Sequence, residues 1–504
     1  MHIFLKRLLG VAGIGCGVMV LGMVWSIANT ALASIQKDLS ANVLQLQWMM
    51  NCFGVLLCVP LLTMGKLGDA YGKKRLFLLG LIGALAASII AGFTNHISLL
   101  IACMGLFGLS GSAILPLSQA LLVHQFPESQ KEKAIGLWSI FASLSLASGP
   151  LVGGVILNFW GWRWIYWVNV PIILLTIPIV IFYVKNEKEH HKPHCDWSGV
   201  GLLALIICSV VLGIMQGPTW GWDSYSILGL FSLSFVSLCV FVALEKKTAM
   251  PLFRPDLFLQ RSFLFSAIPN ACMIGFIWIV FFLIPLYLQN LAGYTPLEVG
   301  LLLLLVTLPV AFLSVSVSKL YRNWGAKPLL LSGFCILALS SLLQSLFVSK
   351  DTFWPIGWGC LGIGIGWVLI WGPSISCALS SIPHRVAGIA SGMFTTLQEL
   401  GAVVSLAVAG VVFRSANKTL LAPQLDQIDA ALQNFPPEQT ESLMTNPVAV
   451  EHYLGEHSPI LPVLRDGFLA GYQNAFWFLL GMSGLAILLS LFLPKRSQSK
   501  SRFL

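Results

Sequence analysis

Long stretches without Asp, Glu, Lys or Arg divide the chain. Twelve of them have at least 20 residues, and the longest, 76–127, contains a polar break at Thr94 to His96. Because a transmembrane helix needs about 20 mostly apolar residues, this longest stretch can hold two helices. A further span, 386–413, is interrupted only by Glu399. The sequence therefore predicts fourteen transmembrane helices.

The composition excludes a water-soluble protein. Of the 504 residues, 57% are hydrophobic and only 10% are charged, whereas a soluble domain has about 25% charged residues. Of the eleven cysteines, only Cys195 falls in a predicted loop, so disulfides are not expected. The sequence also contains no phosphate-binding glycine loop ending in Lys-Ser or Lys-Thr and no metal-ligand spacing. We therefore expect no enzyme, no cofactor and no metal site.

The positive charges predict the orientation. Lys and Arg collect in cytoplasmic loops, and an even number of spans places both termini on one side. With cytoplasmic termini, 23 of the 29 Lys and Arg residues fall inside and 6 fall outside. We predict a multi-pass protein of the cell (inner) membrane, and we assign the net charge of +9 to contact with anionic lipid headgroups rather than nucleic acid.

The loops after spans 2 and 10 suggest an internal duplication. Four residues recur at an offset of 253, as Lys66, Leu67, Gly72 and Lys74 and again as Lys319, Leu320, Gly325 and Lys327. Repeats of this kind build secondary transporters around a central site. The predicted units are an N-terminal six-helix bundle, two inserted helices with flanking cytoplasmic loops, and a C-terminal six-helix bundle with an outer loop at 414–468. Their boundaries are 1–184, 185–262 and 263–504.

Several motifs occur in a characteristic order along the chain. The most specific are Gly65 to Arg75, Gly149 to Gly154 and Trp162 to Pro171, and supporting matches are Gln47-Trp48, Asp196 to Gly199 and Tyr287 to Gln289. With these motifs the chain resembles the fourteen-span drug/proton antiporter family of the major facilitator superfamily. The resemblance implies an all-α membrane fold of two pseudo-symmetric six-helix bundles plus two inserted helices.

The resemblance also implies a function. A member of this family exports small hydrophobic or cationic, drug-like compounds by alternating access and proton antiport. The implied partners are a small-molecule substrate, protons and the lipid bilayer, and the candidate protein partners are a periplasmic adaptor and an outer-membrane channel. The family motifs identify an inner-face latch, formed by Gly65, Asp69, Gly72, Lys73, Lys74 and Arg75. They also identify an antiporter helix-packing motif, formed by Gly149, Pro150, Gly153 and Gly154.

The chain departs from the family pattern at two positions. Val24 replaces the usual acid of span 1, and Met104 replaces the usual arginine of span 4. The absence of both the acid and the arginine is consistent with their joint loss, because a lone buried charge would be costly. Glu399 is then the first candidate for proton coupling or for binding a cation, since an acid at that depth should face a cavity or a partner. The alternative is a protonated acid satisfied by a neighbouring helix.

Other polar and aromatic residues within spans are candidates for lining a substrate cavity. Their alternative role is hydrogen bonding or packing between helices. The candidates are Gln398, Asn29, Trp25, Asn51 and Gln119, followed by Asn270, Gln344, Phe53 and Trp278.

Two alternatives to a proton-coupled drug exporter remain. One is a facilitator, or an exporter of a dedicated metabolite such as a siderophore, which the uncharged N-terminal spans favour. The other is a sensor or assembly partner that does not transport.

His190, His191 and His194 lie in the loop before span 7 and could bind a metal, although a solvated loop is the simpler interpretation.

Overall fold

The fold is helical throughout the part of the chain that the structure, a computed structural model, describes. The described residues are 2–127, 130–185, 196–247, 253–348, 353–380, 382, 387–432, 435–436, 440, 442–455 and 457–494. Among them there is no β-strand, and fourteen helices are long and apolar enough to cross a membrane. The predicted all-α class and span number are confirmed. The three loop histidines and Cys195 lie outside the described residues.

Ten helices form the first half of the chain as far as the structure describes it. They are α1 (His2–Thr30), α2 (Leu32–Leu39), α3 (Val43–Tyr71), α4 (Lys73–Phe93), α5 (Ile97–His124), α6 (Lys131–Phe159), α7 (Trp164–Trp167), α8 (Asn169–Tyr183), α9 (Trp197–Trp220) and α10 (Tyr225–Glu245). Helices α7 and α8 together make one span, and α2 is a short amphipathic segment between spans.

Eight helices form the second half among the described residues. They are α11 (Arg261–Asn290), α12 (Pro296–Trp324), α13 (Ala326–Phe347), α14 (Phe353–Ser380), α15 (Ala387–Leu421), α16 (Leu425–Leu432), α17 (Pro447–Leu454) and α18 (Ile460–Leu491). Helices α2, α16 and α17 lie on one side of the spanning helices, which we call the cap side. The start of α1 and the end of α18 lie on the other, which we call the terminus side.

The spanning helices form two bundles. Helices α1, α3, α4, α5, α6 and α8 pack against one another, and α11 to α15 pack with α18. The bundles meet where α6 packs on α12 and where α3 packs on α15. Helix α9 contacts both α3 and α15, and it also packs against α10. The boundaries at 184/185 and 262/263 remain a prediction, because parts of both connecting loops lie outside the described residues.

The duplication is visible in how corresponding helices begin and end. Helix α3 starts at a capping box in which the Asn42 side chain accepts from Gln45 N, and α12 starts at one made by Thr295 and Glu298. Both are 29 residues long. Gly72, with φ +92°, and Gly325, with φ +79°, end them. These starts and ends all differ by the same 253 residues as the sequence repeat.

Glycines allow the two bundles to touch through their backbones. A Cβ on Gly154 of α6 would lie 2.8 Å from the carbonyl oxygen of Pro296, and one on Gly300 of α12 would lie 2.3 Å from that of Pro150. On the opposite face of α6, Gly149 and Gly153 lie against α1. Small residues permit such close approach between membrane helices. The four motif residues therefore lie between α1 of their own bundle and α12 of the other.

The cap side holds its own small hydrophobic cluster. Its buried members are Leu421, Ile428, Leu432, Leu443, Ala449, Val450, Ile460, Leu461 and Leu464. Hydrogen bonds connect this part of the chain to α2 and α11: Gln36 Nε2 donates to Thr445 Oγ1 at 2.9 Å, and Asn290 Nδ2 donates to Gln36 Oε1 at 2.7 Å. Residue 414, where the outer loop was predicted to begin, still belongs to α15.

A charged cluster joins α2 to the cap-side ends of the first bundle. Asp38 Oδ2 accepts from Trp162 Nε1 at 2.8 Å and from Arg163 at 2.6 Å, and Arg163 also donates to Asn95 Oδ1 at 2.7 Å. Partial burial alone would raise the pKa of Asp38, but the two hydrogen bonds and the positive charge of Arg163 together lower the pKa below its usual value. Arg163, which lies in the Trp162 to Pro171 motif, therefore forms an ion pair that joins this motif to α2.

We predict that Gly154→Ala destabilises the protein by roughly 1–3 kcal/mol, because the added methyl group has no room beside the α12 backbone. Gly136→Ala in the same helix is the matched control, since a Cβ there meets nothing within 4 Å. Thermal unfolding in detergent should show a lower midpoint for Gly154→Ala only. Equal midpoints for the two variants would contradict the close contact.

We predict that Asp38 contributes stability above its ordinary pKa of about 3.9 and that this contribution disappears as the pH falls below that value. The sign follows from the lowered pKa, because the folded state favours the ionised carboxylate. Thermal midpoints of the wild type and Asp38→Asn should therefore differ at pH 6 and converge towards pH 3. A constant difference over this range would refute the prediction.

Candidate functional site

Glu399 lies deep within α15. It follows Ala387 by twelve residues, about 18 Å along the helix axis, which is close to the middle of a ~30 Å hydrocarbon core. Its side chain is half-buried, and its Oε1 accepts from Gln398 Nε2 at 3.3 Å. One turn earlier, the Thr396 carbonyl accepts from the Cys58 thiol of α3 at 3.5 Å. Glu399 therefore occupies the α15 segment that packs on the other bundle.

A row of aromatic side chains crosses between the bundles. The Trp25 ring of α1 lies 5.4 Å from the Trp278 ring and 5.3 Å from the Phe281 ring of α11, measured between centroids. Phe53 of α3 lies 6.3 Å from Trp278. The structure thus brings together Trp25, Phe53 and Trp278, which the sequence proposed separately.

The turn after Glu399 reaches this row. A Cβ on Gly54 of α3 would lie 2.4 Å from the Val403 side chain and 2.9 Å from the Trp278 ring. Val403 follows Glu399 by four residues, which is about one helical turn. The acid and the aromatic row therefore occupy neighbouring levels of the interface between the bundles.

The candidate amides of the first bundle differ in their surroundings. Asn29 Nδ2 donates to the carbonyl of Trp25 in its own helix at 2.8 Å. Asn51 Nδ2 lies 3.1 Å from Met215 Sδ of α9, and its Oδ1 is buried without a partner among the described residues. Gln119 is exposed. Only Asn51 of these three connects to another helix.

The candidate amides of the second bundle bond between helices. Asn270 Nδ2 of α11 donates to Ser374 Oγ of α14 at 2.7 Å. Gln344 Oε1 of α13 accepts from Tyr472 OH of α18 at 2.8 Å. All four residues are fully buried. Their alternative role, helix-to-helix hydrogen bonding, accounts for these contacts.

The positions where the family usually carries charge are packed apolar. Val24 is 3% exposed and Met104 is fully buried. The thioether of Met104 lies 3.7 Å from Tyr166 OH. Both side chains belong to the main hydrophobic core.

Sequence reasoning did not anticipate a polar junction on the cap side. Arg414 of α15 donates to Gln47 Oε1 of α3 at 2.6 Å and to the Met215 carbonyl of α9 at 2.9 Å. Gln47 Nε2 donates in turn to the Leu406 carbonyl at 2.6 Å. The junction joins one helix from each bundle to the inserted pair. The only sequence signal was Gln47 itself, which was read as part of a family motif.

A buried carboxylate lies at the terminus-side end of α10. Glu245 is 2% exposed, and its Oε2 accepts from the Phe253 backbone N–H at 3.2 Å. A Cβ on Gly199 of α9 would lie 3.0 Å from Glu245 Oε1. The sequence places this acid at the edge of a span, so its burial comes from the packing of α9, α10 and the following loop.

The predicted latch begins within a helix. Helix α3 continues through Gly65 and Asp69, and the chain turns only at Gly72, whose positive φ favours glycine. A Cβ on Gly65 would meet nothing within 4 Å. Asp69 forms an ion pair with Lys73 Nζ at 2.9 Å across this turn.

Lys74 connects the latch to another span. Its Nζ donates to the carbonyl oxygens of Ile181 at 2.7 Å and Val184 at 2.8 Å. These carbonyls belong to the C-terminal end of α8, where a cation is favoured. Arg75 is exposed beside it. In this structure the contact of Lys74 is within the first bundle, and a role for the latch between bundles remains a prediction.

A small cavity lies at mid-depth between the bundles. It has a volume of about 20 Å³ and is formed by α6, α12 and α14. Its lining includes Ala142, Ala147, Thr307, Val310, Trp367 and Trp371. Among the described residues no group of three or more His, Cys, Asp or Glu side chains is placed to hold a metal ion.

Sequence comparison places this architecture in a family. The model of the Major Facilitator Superfamily matches residues 14–406. The chain belongs to the major facilitator superfamily. This membership, together with the fourteen spans, makes the protein a multi-pass membrane transporter of small molecules and not an enzyme.

Several relatives in this superfamily are named for drug export. The chain is 30% identical to the multidrug resistance protein Stp of Mycobacterium tuberculosis over 84% of its length and 78% of that protein. It is 24% identical to the multidrug transporter protein MdtP of Bacillus subtilis, over 97% and 93% of the two chains. It is 28% identical to the tetracenomycin C resistance and export protein of Streptomyces glaucescens, over 80% and 75%.

Solved structures show the same superfamily fold at low sequence identity. A bacterial homologue of the human lysosomal transporter Spinster has a TM-score of 0.68 and 12% identity, covering 98% of this chain and 99% of that one. The POT family transporter PepTSo has a TM-score of 0.64 and 12% identity, covering 96% of this chain and 97% of that one. These matches extend over the whole chain.

We predict that Arg414→Met lowers stability by about 1–2 kcal/mol, because Gln47 Oε1 and the Met215 carbonyl lose their donor. Lys418→Met, one turn further along α15 at an exposed position, is the matched control. Thermal unfolding in detergent should separate the two variants. A midpoint unchanged by Arg414→Met would mean that the junction does not stabilise the attachment of α9.

Proposed function

We propose that this protein exports small hydrophobic or cationic compounds by alternating access, driven by proton entry. The observation that carries the proposal is the position of Glu399, an ionisable side chain at mid-depth beside an aromatic row at the interface between the bundles. The names of relatives such as Stp and MdtP support the drug-like class of substrate.

Glu399 is our candidate for carrying the proton. An acid within a span faces a large desolvation cost and therefore marks an ion or proton pathway in many membrane proteins. Glu399 lies on the segment of α15 that packs against α3, so relative motion of the bundles would change its surroundings. Protonation from one side and release to the other would then couple proton entry to the exit of substrate.

Two contact regions support alternation between conformations. On the cap side, Gln36, Asn290 and Thr445 are linked, and Gln289 Nε2 donates to the Thr30 carbonyl at 2.9 Å. Gly154 and Gly300 bring α6 and α12 together on the same side. We infer that these contacts close the cap side in this state and separate when it opens.

The orientation in the membrane belongs to the same proposal. The excess of Lys and Arg on the terminus side supports cytoplasmic termini, and we assign the protein to the inner membrane. The cap side then faces outward, and it is the surface on which a periplasmic adaptor leading to an outer-membrane channel would bind.

A facilitator, or an exporter of one dedicated metabolite, is the second candidate function. The observation that favours it is the packing of Val24 and Met104, which leaves no charged pair in spans 1 and 4. In that case the protein would move substrate down its own gradient, and Glu399 would serve binding or packing.

We predict that Glu399→Gln abolishes proton-driven export while the protein still folds and inserts, because glutamine keeps the shape and hydrogen bonding but cannot release a proton. Vesicles with the reconstituted protein, an inward proton gradient and a panel of lipophilic cations and neutral compounds should show substrate-dependent proton movement for the wild type. For the variant, this movement should fall to the level of empty vesicles.

Asp223→Asn is the control for this experiment, since Asp223 is an exposed acid in the turn before α10. It should behave like the wild type. Normal pH-dependent export by Glu399→Gln would exclude Glu399 as the coupling acid. Substrate movement without proton movement in the wild type would establish the facilitator instead.

A further inference from the structure

Two tryptophans of α14 line the mid-depth cavity and face the first bundle. Trp367 and Trp371 both line it, with their ring centroids 6.2 Å apart. Helix α6 contributes Ala142 and Ala147 on the opposite wall. At about 20 Å³ the cavity has room for about one water molecule, so it must widen when the bundles move if it is to admit a larger molecule.

Both tryptophans have an unused hydrogen-bond donor. Trp367 is 3% exposed, and Nε1 of each ring is buried without an acceptor among the described residues. A buried indole N–H usually finds a partner, and a donor without one is unfavourable. Two such donors on adjacent turns of one helix, beside a cavity, indicate that an acceptor from outside the protein belongs there.

The donors continue towards the other bundle. Phe281 lies 6.5 Å from Trp367 and 5.3 Å from Trp25, measured between ring centroids. Trp25 of α1 also has a buried Nε1 without an acceptor in the part of the chain that the structure describes. The row therefore offers aromatic surface from both bundles and three uncharged N–H donors.

We propose that Trp367 and Trp371 form a subsite for neutral, planar aromatic compounds that carry a carbonyl oxygen or a similar hydrogen-bond acceptor. This inference rests on the proposed export function and names one class of its substrates. The ring of the compound packs against the indole rings, and its acceptor oxygen receives a hydrogen bond from an indole N–H.

The position of the subsite separates it from the proposed proton carrier. The cavity lies against α6 and α12, whereas Glu399 lies on the segment of α15 that packs on α3. A neutral acceptor therefore needs no contact with Glu399. A cationic centre at the same rings would gain attraction from the aromatic faces but has no lone pair with which to accept from the indole N–H groups.

The test compares two uncharged compounds that differ at one group. Fluorenone has a carbonyl where fluorene has a methylene group, and the two share a planar tricyclic frame. Binding of each radiolabelled compound to the full-length protein in lipid nanodiscs is measured by equilibrium dialysis, with empty nanodiscs subtracted. The wild type should bind fluorenone about five- to tenfold more tightly than fluorene, as expected for one net hydrogen bond.

Replacing the donors should remove this preference. In the double variant Trp367→Phe with Trp371→Phe, which keeps the aromatic rings, the affinity ratio should fall to about one. Each single variant should lower the ratio if that ring donates the bond, so the test remains valid if the double variant does not fold. Trp358→Phe, an exposed position on the same helix, should leave the ratio unchanged.

Two results would overturn the subsite. They are an equal affinity of the wild type for the two compounds and a ratio that survives in the double variant. The second would mean that the tryptophans only pack. Because binding is measured without a proton gradient, these results are separate from the vesicle experiment: a protein that transports cations but does not distinguish fluorenone from fluorene retains the proposed function and loses only the subsite.

Discussion

Helices in a bilayer have little hydrophobic reason to associate, because lipid tails are as apolar as their side chains. In this structure, close backbone contacts and buried hydrogen bonds take the place of that driving force. Backbones meet where glycine removes the side chain, as at Gly154 and Gly300 between the bundles. Elsewhere a few buried amides bond across helices, as Asn270 does with Ser374. The interface between the bundles is therefore close-packed at a few points and is not a uniform apolar surface.

The same constraint explains where charge is tolerated. Arg414 is held by carbonyl oxygens from α3 and α9, and Asp38 is held by Arg163 and Trp162. Val24 and Met104, in contrast, are uncharged and belong to the main hydrophobic core. Glu399 differs from both, because its hydrogen-bonding partner in the part of the chain that the structure describes is the neighbouring Gln398 of the same helix.

The internal duplication relates the contacts of α3 to those of α12. Helices α3 and α12 start at capping boxes and end at positive-φ glycines at the same offset, and each then packs on the other bundle. The inserted pair α9 and α10 is attached at the α3–α15 contact through Met215. A movement of one bundle against the other would therefore change both inter-bundle contacts and the support of the inserted pair together.

The sequence by itself determined the class, the fourteen spans and the repeat, because these depend on local properties: the lack of charge over about 20 residues, and glycines and caps at helix ends. It also identified Glu399 and the aromatic residues as candidates. Only the tertiary structure decided which of them meet. Gln47 and Arg414 are 367 residues apart in sequence, and Trp367 gains its cavity from α6 and α12. In lipid, apolar periodicity says little about which face of a helix turns inward, so side-chain partners follow from helix packing and cannot be derived from the pattern alone.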